Sequence, residues 1–230
     1  MTETPVKDAA TIILVRDPAS APRVLMGQRG ERAAFMPNKF VFPGGAIDPG
    51  DAAIPLATPI SNPCLSRLTA TTTTPPTALL AAAIRELWEE AGLVLGTAGH
   101  WGEPVLPDWQ TYAATGHVPS AEMLHFVFRA ITPIGQPRRF DARFFLANAD
   151  TLSSDPDDFS AASDELSHLQ WVPLDQARSF DLPFITEIVL AEIAANLPHI
   201  GAPNTVPFFK NTDEDSLFER LGHNPPVAGS

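Results

Sequence analysis

A single cysteine, Cys64, stands in 230 residues. One thiol cannot close an intramolecular disulfide, so a disulfide-stapled scaffold is excluded and a reducing compartment is expected. Cys64 has no His or Cys neighbour at ligand spacing, which argues against a metal or catalytic role for it. No run of 18 apolar residues occurs, so no transmembrane helix is expected. Met1-Thr2-Glu3-Thr4-Pro5 lacks the basic and apolar regions of a secretion signal, and Pro225 to Ser230 is no peroxisomal address. The cytoplasm is therefore the expected compartment. Basic residues are scarce: 15 Lys and Arg against 27 Asp and Glu give a net charge of −12. Such a surface repels polynucleotide phosphates at long range, so neither a nucleic-acid polymer nor a membrane is an expected partner. A small anionic substrate stays compatible if metal ions screen its site. The six histidines show no zinc spacing. There is no Gly-x-Gly-x-x-Gly and no Gly-Lys-Ser/Thr loop, which argues against kinases and NAD oxidoreductases.

What is present is globular. Hydrophobic residues make up 44% and charged residues 18%. The length fits one domain, residues 1–230, with an insertion at about 52–76 and a C-terminal extension from about 198. The 24 prolines, against 14 glycines, point to stiff connections. Strands are expected at Ala9 to Arg16, Arg23 to Gln28, Phe40 to Phe42, Glu122 to Ile131, Arg138 to Ala147 and Leu166 to Pro173. The stretch Ala52 to Pro76, rich in Thr, Pro and Ala, is expected to be a loop with at most one short helix. A helix is expected from Thr74-Pro75, a capping residue followed by a proline suited to the first turn, to about Ala91. Gly92 fits the left-handed position just past its end. Trp101 to Ser120 is expected to be irregular apart from a short helix near Trp109 to Ala114. A short helix over Leu174 to Phe180 and an amphipathic one over Phe184 to Leu197 follow. Beyond Pro198 the chain is expected to wrap the domain. This order implies a mixed sheet between helices, an α/β/α sandwich.

The most informative segment is Arg85-Glu86-Leu87-Trp88-Glu89-Glu90-Ala91-Gly92-Leu93. At about 100° per residue, with Ile84 at zero, Glu86, Glu89 and Glu90 fall at about 200°, 140° and 240°. Leu80, Ile84, Leu87, Trp88 and Ala91 form the opposite, core-facing stripe. Like charges three and four residues apart each cost roughly 0.2–0.5 kcal/mol, and a hard divalent cation would offset that repulsion. An acidic helix face is nevertheless most often simply solvated, and Arg85 can pair with Glu89 at i, i+4. Trp88 lies on the apolar face and is expected in the core, as is His125 on its apolar strand.

Upstream stands Val41-Phe42-Pro43-Gly44-Gly45-Ala46-Ile47-Asp48-Pro49-Gly50-Asp51. Taken with Arg85 to Leu93, it resembles the Nudix hydrolase signature: Gly, five residues, Glu, seven residues, then Arg-Glu-apolar-x-Glu-Glu-x-Gly-apolar. Gly45 takes the first position, and Arg85 to Leu93 match the second half throughout. Asp51 stands where the family has Glu. From Asp51 to Arg85, 33 residues intervene where the signature has seven, an excess of 26. Phe35 to Gly45 is also similar to the branch of peroxisomal-type coenzyme A diphosphatases, which tolerates an insertion at this point.

The resemblance implies a Nudix-type α/β/α fold and a hydrolase that cleaves the pyrophosphate of a nucleoside diphosphate linked to another moiety. Coenzyme A or acyl-CoA is the favoured substrate; ADP-ribose, NADH and dinucleoside polyphosphates are rivals, and a nucleotide-sensing module without turnover is the non-enzymatic alternative. It implies Mg²⁺ or Mn²⁺, with Glu86, Glu89, Glu90 and the Gly45 carbonyl as ligands and Arg85 orienting the carboxylates. Asp51 would support them from behind. Glu165 is the candidate general base, with Asp157, Asp158 and Asp164 competing. Arg29 and Arg143 are the candidate phosphate partners, ahead of Arg32 and Lys39. The insertion is expected to shape the pocket or a dimer contact, which leaves a homodimer open.

Overall fold

β1 (Val6–Arg16) is the axis of the molecule. Its residues Ala9 to Val15 are almost wholly apolar, as a strand covered on both faces requires. The computed structural model describes residues 4–211 and 216–222, so the terminal segments Met1–Glu3 and 223–230 considered above lie outside the described residues. Beyond β1 the chain forms β2 (Arg23–Arg29), β3 (Phe40–Val41), β4 (Gly44–Ala46), α1 (Cys64–Thr71), α2 (Pro76–Ala91), β5 (Gly96–Ala98), α3 (Gln110–Ala113), β6 (His117–Pro119), β7 (His125–Ile131), β8 (Arg139–Asn148), β9 (Leu166–Pro173), α4 (Phe184–Asn196), β10 (Val206–Asn211) and β11 (Ser216–Leu221).

The main sheet is mixed, in the order β11-β10-β7-β8-β1-β2-β3, with β9 on β2 and β4 on β1. β1 runs parallel to β8 over its whole length, from Val6 opposite Arg139 to Val15 opposite Asn148. On its other side β1 changes partner. Ala9 to Thr11 pair with β4, whereas Val15 and Arg16 pair with β2. β4 therefore fills the gap where β1 and β2 part, and this brings Gly44 and Gly45 to the sheet centre.

Helices cover both faces. α2 packs Leu80, Ile84 and Leu87 against Ile12, Leu14, Leu25 and Phe145. α4 packs Val189, Leu190 and Ile193 against Ile13, Val15, Phe128 and Phe144 on the other face. Each such buried aliphatic side chain contributes about 1.5–3 kcal/mol. The architecture is the expected α/β/α sandwich. α2 ends as expected at Gly92, whose φ of 69° is left-handed and whose N–H bonds the Trp88 carbonyl.

Three expectations, on α2, on the chain beyond Pro198 and on Leu174 to Phe180, need correction. α2 starts one residue late, with Pro75 at the N-cap and Pro76 first in the helix, because the Thr74 hydroxyl is engaged by the Asp8 carboxylate. The stretch after Asp51 holds the one short helix allowed for it, α1, and with a 3₁₀ turn (Asp51–Ala53) it sinks Ile54, Ile60, Cys64 and Leu68 into the α2-side core. The chain beyond Pro198 does more than wrap, since β10 adds to β7 in parallel and β11 pairs with β10. Between Leu174 and Phe180 only a 3₁₀ turn, Ala177–Ser179, forms. Among the described residues, no helix is long and apolar enough to cross a membrane.

Candidate active site

Gly45 and α2 meet. A Cβ placed on Gly45 would lie 2.5 Å from Glu86 Cδ and 2.7 Å from Oε2, and closer still to Oε1. The adjoining Gly44 N–H donates to Glu90 Oε2 at 2.8 Å. Two stretches of chain 41 residues apart thus place two carboxylates against one glycine pair, and only the bare backbone allows that approach.

Arg85 locks the arrangement. Its Nε and Nη2 each donate to Asp51, at 3.1 Å, as a two-pronged fork. Nη2 also reaches the Ala46 carbonyl at 3.0 Å, and Nη1 donates to Glu86 Oε1 at 2.9 Å and Glu89 Oε2 at 3.0 Å. Burial alone would depress the guanidinium pKa; the Asp51, Glu86 and Glu89 carboxylates overcome it and raise it. Asp51, though a methylene shorter than the Glu of the signature, reaches Arg85 and also accepts the Asp48 N–H at 2.9 Å.

Glu86 and Glu90 are buried, at 8% and 1% exposure, and both face a cleft of about 1020 Å³. Burial pushes the Glu86 carboxyl up to about 7, against the pull of Arg85 and with help from Glu89 and Glu165. Burial, then the nearby Glu86, pushes Glu90 up to about 8, opposed by the Gly44 N–H and Arg29. Glu165 lines the same cleft and lies close enough to raise both. Arg29, from the end of β2, also lines it, and its Nε is buried without a hydrogen-bond partner.

Other candidates go elsewhere. Glu89 sits about 100° round the helix from Glu90 and only about 40° from Arg85, so it turns to Arg85 rather than into the cleft. Burial raises its pKa as well. Arg143, offered as a phosphate partner, is 1% exposed and lies off the cleft. It is held by Asp8, by the Asp141 carbonyl at 2.7 Å and by Thr72 Oγ1 at 2.8 Å. The reason is strand alternation: Ala142 and Phe144 line the cleft, so Arg143 between them faces the other way. Asp157 pairs with Arg16 at 2.9 Å and Asp158 accepts the Ser160 N–H, and neither they nor Asp164 line the cleft, whereas Glu165 does. Lys39 pairs with Asp181, and Arg32 is exposed outside the cleft. Trp88 donates to Thr111 and packs beside the core, away from the cleft. His125 is only partly buried, and its Nδ1 has no partner, contrary to the expected satisfied core histidine. Cys64 is buried and accepts the Phe126 N–H, and burial raises its thiol pKa.

Sequence reasoning did not single out Lys7, Phe35, Arg138, Arg139 or Phe140, which also line the cleft. The available signal was register: Lys7, Ala9 and Thr11 alternate onto one face of β1, opposite Phe140, Ala142 and Phe144 of β8.

Among the described residues, no group of three or more Asp, Glu, His or Cys side chains is arranged to hold a metal ion unaided. The donors that do converge are hard oxygens: Glu86 and Glu90, beside the Gly45 backbone. Two mutually repelling buried carboxylates suit an ion such as Mg²⁺, which takes few protein ligands and completes its shell with water and phosphate oxygens.

Comparison with known proteins places the chain in a family. The family model described as NUDIX domain matches residues 75–193. A putative nudix hydrolase 7 from Caenorhabditis elegans is 31% identical over 178 residues, which cover 72% of this chain and 51% of that protein. The chain thus spans about half the length of that relative. A crystal structure of a NUDIX hydrolase from Alicyclobacillus acidocaldarius is 30% identical, with a TM-score of 0.60, covering 84% of this chain and 92% of its own. A MutT protein structure from Methanosarcina mazei Go1 has a TM-score of 0.50 at 15% identity, covers 85% of this chain and 97% of its own, and shares the fold.

Proposed function

The chain belongs to the Nudix family, and on that premise we propose that it hydrolyses the pyrophosphate bond of a nucleoside diphosphate joined to a second moiety, with divalent metal. The observation that carries this is the meeting of Gly44 and Gly45 with Glu86 and Glu90 at one end of a cleft that also holds Arg29 and Glu165. We read the whole chain as one such domain, bearing an insertion and a C-terminal extension.

Nudix hydrolases generally use divalent ions; here we propose Mg²⁺ or Mn²⁺, held by Glu86, Glu90 and the Gly45 carbonyl, with Glu89 joining by leaving Arg85. The ion, when bound, neutralises phosphate charge and acidifies water. The protein's own contributions are separate. Arg85 holds Glu86 in place and, through Asp51 and Ala46, fixes α2 to β4. Arg29, which lines the cleft, offers its guanidinium to a phosphate oxygen. Glu165 accepts a proton from the attacking water.

Within the class we favour coenzyme A or acyl-CoA, on the likeness of Phe35 to Gly45 to that branch and on the insertion at the same point. Cleavage would give 3′,5′-ADP and a phosphopantetheine product. The deciding experiment is turnover of coenzyme A, ADP-ribose, NADH and dinucleoside polyphosphates with Mg²⁺, and again with EDTA. Silence on the whole panel removes the enzymatic reading. Nucleotide binding without hydrolysis, unchanged in Glu89→Gln, would favour a sensing module instead.

A further inference from the structure

The cleft extends well beyond the carboxylates. Its floor is the face of β1 and β8 that carries Thr11 and Phe144, then Ala9 and Ala142, then Lys7 and Phe140. Gly45, against which Glu86 sits, is level with Ala10. Lys7 and Phe140 are three residues further along, ~10 Å at about 3.3 Å per residue. That is the reach from a diphosphate to the base of a mononucleotide.

At that distance the chemistry changes. Phe140 presents its ring from the strand, and Phe35 packs edge-on against it with centroids 5.2 Å apart and planes at 68°. Phe35 comes from the segment between β2 and β3, where the next residue, Met36, holds a left-handed φ of 51°. Such a backbone is rare for a bulky side chain and fixes the approach of the loop. Lys7 is the register partner of Phe140, and Gln136 and Arg138, a few residues before Phe140 in the chain, line the same cleft; all three can donate to ring nitrogens and exocyclic oxygens. A flat ring bordered by donors suits a planar heterocycle. The other aromatic pair in the cleft, Phe184 and Phe209, is bordered by Pro183, Ile185 and Ile131, and Phe184 is 68% exposed.

We propose that Phe140, braced by Phe35 and paired in register with Lys7, seats the nucleobase of the substrate. This rests on the nucleoside diphosphate reading and names which part of the cleft reads the nucleoside. Phe140 is then a specificity-determining residue, and substrates are ranked by how their base stacks on it.

The test separates base binding from turnover. Adenosine 5′-monophosphate has no pyrophosphate bond, so its binding is measured by calorimetry in EDTA for wild type, Phe140→Leu, Phe35→Ala and Phe184→Ala. Ribose 5-phosphate is the probe without a base. Stacking by one aromatic is commonly worth about tenfold or more in affinity. The expected result is that wild type binds the mononucleotide and that Phe140→Leu, which keeps an apolar side chain but loses the flat ring, weakens it at least tenfold. Phe184→Ala should leave it within about twofold, and ribose 5-phosphate should bind equally to all four proteins. In turnover, Phe140→Leu should raise KM for nucleotide substrates and leave kcat unchanged. Three outcomes overturn the proposal: no mononucleotide binding by wild type, unchanged binding in Phe140→Leu, or a loss confined to Phe184→Ala. Hydrolysis that stays intact while Phe140→Leu binds normally removes the base site and leaves the proposed activity standing. Binding that depends on Phe140 in a protein that hydrolyses nothing does the reverse.

Discussion

Two neighbouring glycines should fail in different ways when given a methyl group. At Gly45 the three atoms nearest the new Cβ all belong to the Glu86 carboxylate, with Cδ at 2.5 Å and Oε2 at 2.7 Å. Cβ contacts under 3.0 Å essentially never occur, so something has to move. Here it is the far end of a side chain, whose carboxylate can swing away by giving up its 2.9 Å bond to Arg85. At Gly44 the Cβ would meet the Ala10 carbonyl oxygen and Thr11 Cα, each at 2.7 Å. Those are backbone atoms of the central strand β1, and they cannot yield without disturbing the pairing of β4 with β1.

Overpacking typically costs about 1–3 kcal/mol, and Gly45→Ala should sit at the low end and Gly44→Ala at the high end. At roughly 2–4 °C per kcal/mol for a chain of this size, Gly44→Ala should lose about 6–12 °C of Tm and Gly45→Ala about 2–4 °C. Activity should rank the other way per folded molecule. Displacing Glu86 by about 1 Å is enough for a loss on the order of 100-fold in kcat/KM in Gly45→Ala. The assay is thermal unfolding beside turnover of the best substrate of the panel, both with Mg²⁺. If Gly45→Ala kept wild-type turnover, the Glu86 carboxylate would not be needed where it lies, and the placement of the metal against Gly45 would be wrong.

Further outcomes follow from the charges. Without metal, the folded protein keeps protons on Glu86 and Glu90 up to about pH 7 and 8, whereas the unfolded chain releases them near 4.5. The folded state binds more protons across that window, so Tm measured in EDTA should fall as pH rises from about 4.5 to about 8, and Glu90→Gln should flatten the slope; a rising Tm would contradict the assignment. Arg143→Met should cost on the order of 1–3 kcal/mol, because Asp8 loses its ion pair and Thr72 and the Asp141 carbonyl lose a donor while Arg129 still holds the Asp141 carboxylate, and KM should stay unchanged. A tenfold higher KM with unaltered Tm would return Arg143 to the substrate. Glu165→Gln, at an exposed position, should leave Tm alone and lower kcat about 100-fold or more, and full activity would reassign the base.

How far the sequence foretold this depends on the signal each residue carried. The α2 stripe, its Gly92 stop and the apolar run of β1 were legible because packing imposes periods of 3.6 and 2 on them. The convergence of Gly45 with Glu86 was legible from the signature, since no local period would suggest it. Arg143 was misplaced because a lone charge on a strand does not say which face it occupies; only the cleft-facing neighbours Ala142 and Phe144 settle that. Glu89 was grouped with Glu86 and Glu90 because all three avoid the core stripe, yet the helix puts it nearer Arg85. β5 and β6 span three residues each, too few for any alternation to show. β10 was hidden by Pro207 and by pairing with a strand about 80 residues earlier.

The 26 additional residues in the signature do not break the site, and the magnitudes say why. Lengthening a flexible connection from seven residues to 33 costs only about 1–1.5 kcal/mol in closure entropy. Burying Ile54, Ile60 and Leu68 returns about 1.5–3 kcal/mol for each, so the insertion more than offsets its own closure. The bonds that join the two halves also bypass it. β4 is held by Ala9, Ala10 and Thr11 of β1, and α2 is held to β4 by Arg85 on the Ala46 carbonyl. Only Asp51, at the head of the inserted stretch, belongs to both. It is 1% exposed, carried on a 3₁₀ turn, and gripped by the Arg85 fork. Removing one partner of such a buried pair costs about 3–5 kcal/mol, several times the entropy of the longer loop. The position that fixes the geometry is therefore the last one before the chain departs, and the added length falls between it and the start of α2 at Pro76.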